Sequence, residues 1–187
     1  MIPGNTFTVT PIVSPYPYPD SLPYDPLSQI VNGGLALNDA THGRLYQYWN
    51  ASYDGTRINI KPVGGAVAMS LAETGVLTVS LAFDINMQPT LAWTTLSGAY
   101  LYYYDTITQH FIRTYYPGYT SCRVSVDDAA NYYSGQSDVI FGYTAANVLY
   151  YRQQRDRYLF PYFIGNVRGV LRKLGLNLGS RLQFQVF

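Results

Sequence analysis

Few side chains in this sequence are of a type and spacing that could do chemistry. Asp127, Asp128 and Asp138 bracket one loop. A general acid–base pair needs two carboxylates that face each other across a cleft with separated pKa values. Adjacent residues at a strand end point in opposite directions, so Asp127-Asp128 reads as turn chemistry. The trio also lacks the dense alternate-acid spacing of a calcium loop. His42 and His110 are the only histidines and have no Cys or His at ligand spacing, which leaves a zinc site unsupported. Gly175-Leu-Asn-Leu-Gly179 has neither the flanking strand–helix context nor the lysine of a phosphate-binding loop, and no serine stands in a nucleophile-elbow motif. The expectation is no catalytic residue, no metal and no cofactor.

The most distinctive polar cluster is Arg152-Gln-Gln-Arg155-Asp-Arg157, set between Tyr150-Tyr151 and Tyr158. Arginines interleaved with tyrosines can grip single-stranded nucleic acid by phosphate contact and base stacking. Asp156 among them argues against that use. A strand–turn–strand spacing places Arg152 and Arg157 across a hairpin, where they pair with Asp156 or a neighbouring subunit's carboxylate, or stack on tyrosine. With a net charge of only +1, nothing in the whole chain favours nucleic acid or a membrane surface as partner.

The elements that must position these residues are strands. Val76–Phe83, Thr90–Thr95, Ala99–Tyr104 and His110–Tyr116 form one group of four, joined by turn-rich segments. Cys122–Val126, Asp138–Thr144, Val148–Gln153 and Arg157–Ile164 repeat the plan. Val79-Ser80-Leu81 corresponds to Val124-Ser125-Val126, Trp93 to Phe141, and Tyr102-Tyr103 to Tyr150-Tyr151. Offsets of about 45 and 48 residues are those of a propeller blade or another four-stranded unit. Arg44–Trp49 and Arg57–Lys61 read as strands of a further, degenerate unit, and Gly64–Leu71 as a short helix ending near Gly75. Val167–Leu174 and Arg181–Phe187 flank a glycine-rich turn, and the alternation of Leu182, Phe184 and Val186 with Gln183 and Gln185 marks a paired strand. The predicted class is therefore all-β: antiparallel four-stranded repeats, stacked like propeller blades or as a β-sandwich. The repeats at about 76–116 and 122–164, with the C-terminal strands, belong to a single domain over residues 31–187.

Residues 1–30 differ from the rest. They hold seven of the eleven prolines, and Ser14-Pro-Tyr-Pro-Tyr-Pro19 favours an extended polyproline II path. Disordered tails are usually poor in aromatics, whereas this segment carries Tyr16, Tyr18, Leu22, Tyr24 and Leu27. It reads as an arm laid over another subunit. The N-terminus has no basic and apolar leader pattern and no apolar run reaches the length of a membrane span, so synthesis and folding in a cytoplasm are expected. The single cysteine, Cys122, falls in a predicted strand as a buried thiol.

Composition points toward assembly. Charged residues make up 12% of the chain, about half the usual share, with two lysines and one glutamate against 20 tyrosines. Tyrosine gives rigid contact area with a hydrogen-bonding tip and is favoured at interfaces. It also stacks on sugars, so a carbohydrate- or receptor-binding module with Trp93, Tyr102, Tyr104 and Tyr151 as platforms is the rival reading.

Two stretches carry a resemblance. Leu81-Ala-Phe-Asp84, then Gln88-Pro-Thr-Leu-Ala-Trp93 and Tyr100-Leu-Tyr-Tyr-Tyr-Asp105, resembles the "LAFD…P-x-x-AW…YLYWYD" run of certain small virion proteins of tailed bacteriophages. Ser137-Asp-Val-Ile-Phe-Gly-Tyr143, Leu149-Tyr-Tyr-Arg-Gln-Gln-Arg-Asp-Arg-Tyr158, Leu174-Gly-Leu-Asn177 and Arg181-Leu-Gln-Phe184 resemble the closing "SDV…Y…YRxQRDRF…VGMN…RLQF" run of the same proteins. Tyr158 stands for the family's Phe and Leu176 for its Met. The likeness spans residues 76–187 and stops short of the proline-rich arm. It implies a tail-associated particle component and no catalytic residues. The expected protein is a non-enzymatic virion component of the tail or head–tail junction, made in the host cytoplasm. It would assemble as a homo-oligomer, strap neighbouring virion proteins with its arm, and anchor a fibre, with a host-surface glycan as a further partner.

Overall fold

The computed structural model describes residues 33–39, 46–62, 64–84, 88–127, 138–176 and 182–186. The arm residues Tyr16, Tyr18, Leu22, Tyr24 and Leu27 lie outside them, as do His42 and Asp128. Among the described residues fourteen strands form three four-stranded antiparallel sheets and a final hairpin, each sheet a simple meander. The first sheet comprises β1 (Gly33–Asp39), β2 (Tyr46–Tyr53), β3 (Arg57–Pro62) and β4 (Met69–Ala72). The second comprises β5 (Thr78–Phe83), β6 (Pro89–Thr94), β7 (Gly98–Asp105) and β8 (His110–Pro117). The third comprises β9 (Tyr119–Asp127), β10 (Asp138–Ala145), β11 (Val148–Gln153) and β12 (Tyr162–Asn166), and the hairpin β13 (Leu171–Leu176) and β14 (Leu182–Val186). The only helical piece among the described residues is one 3-10 turn, Gln154–Asp156. The predicted all-β class and its antiparallel four-stranded units are what the chain adopts.

The sheets stack in chain order, β1 against β5, β5 against β9, and β9 against β13. First strands thus adjoin first strands, as blades do about a propeller axis, with no closed barrel among the described residues. The second sheet is covered on both sides, which explains why β5 and β6 are buried at five successive positions instead of alternating. Its two faces differ in bulk. Val79, Leu81, Phe83, Leu91 and Trp93 turn toward Ala51, Ile58 and Ile60 of the first sheet. Ala82, Ala92 and Ala99, with Leu101 and Tyr103, receive Val124, Val139, Phe141 and Tyr143 of the third. Large side chains of each sheet fill the space left by small ones of the sheet before it, which is how close packing is reached between layers about 10 Å apart. The hairpin repeats the device: a Cβ on Gly142 would come within 3.1 Å of Leu171, Leu174 and Phe184.

Among the described residues, polar side chains stand at both ends of the stack. On the outer side of the first sheet, the Arg57 guanidinium donates to Ser70 Oγ (2.6 Å), Ser70 Oγ to Asn59 Oδ1 (2.8 Å), and Asn59 Nδ2 to Asp54 Oδ2 (2.8 Å). At the far end Arg172 is exposed and Lys173 lies across from Gln185. The facing sides of the three sheets bury their apolar residues against one another within one chain.

Three sequence expectations need correction. Gly64–Leu71 does not form a helix: Met69–Ala72 pairs with β3, Met69 opposite Ile60, because an open sheet edge outcompetes the weak helical preference of so short a segment. The fourth strand of the second repeat starts at Tyr162, not Arg157, since Arg157 and Tyr158 both turn left-handed (φ 58° each) and Pro161 has no N–H to pair. The repeat alignment holds for Val79 and Trp93, which face each other as Val124 and Phe141 do. It slips beyond them. Tyr100 lies opposite Trp93 while Arg152 lies opposite Phe141, so Tyr102-Tyr103 and Tyr150-Tyr151 are not equivalent. β10 runs on to Ala145 before a two-residue turn at Ala146-Asn147 with both φ positive, the tight hairpin geometry, and this lengthens the second hairpin.

Candidate interaction surface and its arginine staples

The arginine–tyrosine segment is an internal clasp. Arg152 leaves β11 toward the second sheet, and its guanidinium donates to the carbonyls of Tyr158 (2.7 Å) and Leu159 (2.8 Å) and to the Tyr119 hydroxyl (3.2 Å). It lies 5.0 Å from the Tyr116 ring and 5.8 Å from that of Tyr143. The rings form a file across the sheets: Tyr116 to Tyr119 at 5.0 Å, Tyr119 to Tyr143 at 3.9 Å, Tyr143 to Tyr150 at 5.5 Å, and Tyr150 to Phe163 at 6.0 Å. Burial pushes the Tyr116 phenol up to about 12 against the pull of Arg152, and raises Tyr143 further, helped by its hydrogen bond with Tyr119. Both terminal guanidinium nitrogens are hydrogen-bonded and the group lies against these rings, so the predicted stacking of arginine on tyrosine is what Arg152 does.

Arg157 ties the third sheet to the second. It pairs with the carboxylate of Asp105, not with Asp156 as the sequence suggested, because the left-handed turn swings it toward the β7–β8 corner. Asp105 is nearly inaccessible and also accepts from Thr108 Oγ1 (2.7 Å) and the Ile107 N–H (3.2 Å). Burial would raise its carboxyl; the bonds from Thr108, Ile107 and Arg157 outweigh that and hold it below its ordinary value. The same turn drives Tyr158 into the core, edge-on to Tyr103 at 4.7 Å. Arg155 stays on the exposed side of the 3-10 turn.

Other staples escaped sequence reading. The Ser80 hydroxyl accepts the Val124 N–H (3.0 Å) and donates to the Val124 carbonyl (3.3 Å), while Ser121 Oγ accepts the Leu171 N–H (2.8 Å). Arg123, buried, donates to the Arg172 carbonyl (2.9 Å) and Thr78 Oγ1 (3.2 Å), joining second sheet, third sheet and hairpin. Glu73, the one glutamate, meets Arg113 at 3.0 Å and is raised by burial against that cation's pull. A polar residue in a strand carries no sequence signal of the layer it will reach. Cys122 is fully buried, as expected, and burial pushes its thiol up to about 12.

The predicted aromatic platforms do not come together. Trp93 is wholly buried, stacked on Tyr100 at 5.2 Å, and is unavailable to any ligand. Tyr102 and Tyr104 flank Phe111, at 4.8 and 5.3 Å, and remain half-buried on the second sheet. Tyr151 sits on a different face, stacked on Tyr162 at 4.9 Å and inclined to Phe184 at 6.2 Å.

Single apolar side chains are exposed at Val67, Leu77, Leu96 and Ile107, but the longest exposed apolar run among the described residues lies at one edge. Leu159, Phe160 and Phe163 are 64%, 61% and 65% exposed, and Ile164 is 40% exposed. They belong to β12 and the loop entering it, and β12 is the outer edge of the third sheet. Tyr158-Leu-Phe-Pro-Tyr-Phe-Ile164 does not alternate, and such a run is buried only in a strand covered on both faces, which this edge strand is not. Among the described residues no three His, Cys, Asp or Glu side chains gather as metal ligands, and no helix is long and apolar enough to cross a membrane. Comparison with protein-family models, curated proteins and solved structures finds no match.

Proposed function

We propose that the chain is a structural component of a tailed-bacteriophage particle, at the tail or head–tail junction, working by self-assembly and by arm contacts to neighbouring virion proteins rather than by catalysis. The observation that carries the reading is the exposed apolar edge at Leu159, Phe160, Phe163 and Ile164, four large side chains close together in sequence where the other exposed apolar residues stand singly. A clustered apolar patch on a body this well packed marks a contact site. The low share of charged residues and the cross-sheet staples fit a load-bearing part, and the likeness of residues 76–187 to phage virion proteins points the same way. As a fibre anchor it would transmit force through those staples. The test is immunogold labelling of purified particles with antibody to this chain. Labelling at one fixed position along the tail or at its junction with the head supports the reading, and unlabelled particles with the chain confined to the lysate supernatant contradict it.

A receptor-binding role has one observation of its own. Tyr102, Phe111 and Tyr104, with Tyr100 and Tyr115 beside Arg113, make a half-exposed aromatic strip on the second sheet. Such a strip suits stacking against a host-surface glycan. A glycan array separates the two: micromolar binding abolished by Tyr104→Ala favours the receptor module.

A further inference from the structure

We infer that the β12 edge is the docking site for the proline- and tyrosine-rich arm of a neighbouring copy of this chain. The inference rests on the assembly reading above and names the surface through which it works. Its first ground is the way the segment is held. Arg152 fixes the carbonyls of Tyr158 and Leu159, two successive residues are left-handed, and the Tyr162 hydroxyl donates to Asp156 Oδ2 at 2.9 Å. Left-handed backbone at non-glycine residues costs free energy. The turn seats Arg157 on Asp105 and Tyr158 in the core, and in doing so holds the next two residues, Leu159 and Phe160, outward and mostly exposed. A rigid apolar display loses little entropy on binding, which is what a recognition surface requires.

The second ground is the chemistry of the occupant. Exposed Phe163 meets Tyr150 edge-on on one face of the β11–β12 pair, and Tyr162 stacks on Tyr151 on the other, so the edge presents aromatic rings of the kind on which polyproline II ligands seat their prolines. Ser14-Pro-Tyr-Pro-Tyr-Pro19 is a ligand of that class within the same chain. Charge agrees as well. Residues 1–30 contain Asp20 and Asp25 and no lysine or arginine, while exposed Arg168 follows the apolar run. Reach is ample: the 32 residues before β1 extend to roughly 100 Å.

The test uses the full chain carrying Tyr18→p-benzoylphenylalanine, mixed equally as light- and heavy-nitrogen protein, irradiated and digested with trypsin. The patch falls within one peptide, Tyr158–Arg168. The expected result is a cross-link from the arm to that peptide with light–heavy pairs present, reduced about tenfold by Phe160→Ser/Phe163→Ser, as befits loss of two central aromatic anchors. Cross-links only within one isotope would mean the arm folds back on its own body and overturn the exchange between copies. Cross-links to other peptides, or indifference to the double variant, would overturn the site while leaving arm-mediated assembly standing. A native mass equal to one chain at every concentration, in the same sample, would instead remove the assembly reading itself.

Discussion

The outermost strands of the second and third sheets, β8 and β12, hold the same place in the same four-strand plan and are finished in opposite ways. β8 is eight residues long, and its aromatics are all engaged: Phe111 on Tyr102, Tyr115 on Tyr100 with its hydroxyl donating to the Ser97 carbonyl, and Tyr116 on Tyr119. The turn before it is tied down by Asp105 through Ile107 and Thr108. β12 has five residues, follows a 3-10 turn and a left-handed pair, and leaves Phe163 and Ile164 outside. An exposed apolar edge is an aggregation hazard that proteins usually suppress with charge. β8 shows that this chain can finish an edge. Its failure to do so at β12 marks that strand as one to be covered.

The largest effect should come from the shared core, where the two repeats do not differ. Phe141→Ala removes the ring that fills the space beside Ala92 and Ala99 and should destabilise the fold by about 3–5 kcal/mol, read as a lower urea midpoint at unchanged slope. Arg157→Gln comes next. It breaks the tie between the two compared corners and should lower the melting temperature by less than the core change, while leaving the strands formed by circular dichroism. Acid exposes the same tie. The Asp105 carboxyl is held below its ordinary 3.8, so its contribution is fully present above that value and is lost as pH falls through the lower folded value. Glu73 runs the other way, since its folded pKa is raised: its contribution is present at low pH and fades as pH rises through the folded value. An acid melt of Arg157→Gln should therefore fall less steeply below pH 3.8 than that of the parent chain.

Smaller effects sharpen the contrast between edges. Phe160→Ser/Phe163→Ser should change stability by within about 0.5 kcal/mol yet lower the native mass, whereas Phe111→Ser on β8 should lower stability and leave association alone. Cys122 should resist thiol reagents until the protein unfolds, because its thiol is buried and pushed up to about 12. Prompt labelling at neutral pH would mean that the second and third sheets part readily.

Much of the architecture was legible in the residues. Period-two alternation and turn chemistry located β5 to β11 to within a few residues, and the match of Val79 and Trp93 to Val124 and Phe141 survives as paired positions. What misled was position within a layer. Trp93 reads as a platform because tryptophan is common at interfaces, yet its strand lies in the sheet covered on both sides. Arg157 sits next to Asp156 in sequence, but a left-handed residue redirects it to Asp105, and no pattern announces a left-handed arginine. Ser80, Ser121 and Arg123 look like ordinary strand residues until the neighbouring sheet is in place. Conversely, the run at 158–164 reads as one more strand, although its lack of alternation is visible in the sequence.

The most direct test is native mass over a range of concentrations for the full chain beside a form lacking residues 1–30. The account predicts a discrete oligomer for the full chain that loosens markedly without the arm. A single-chain mass at every concentration, indifferent to the truncation, would contradict it.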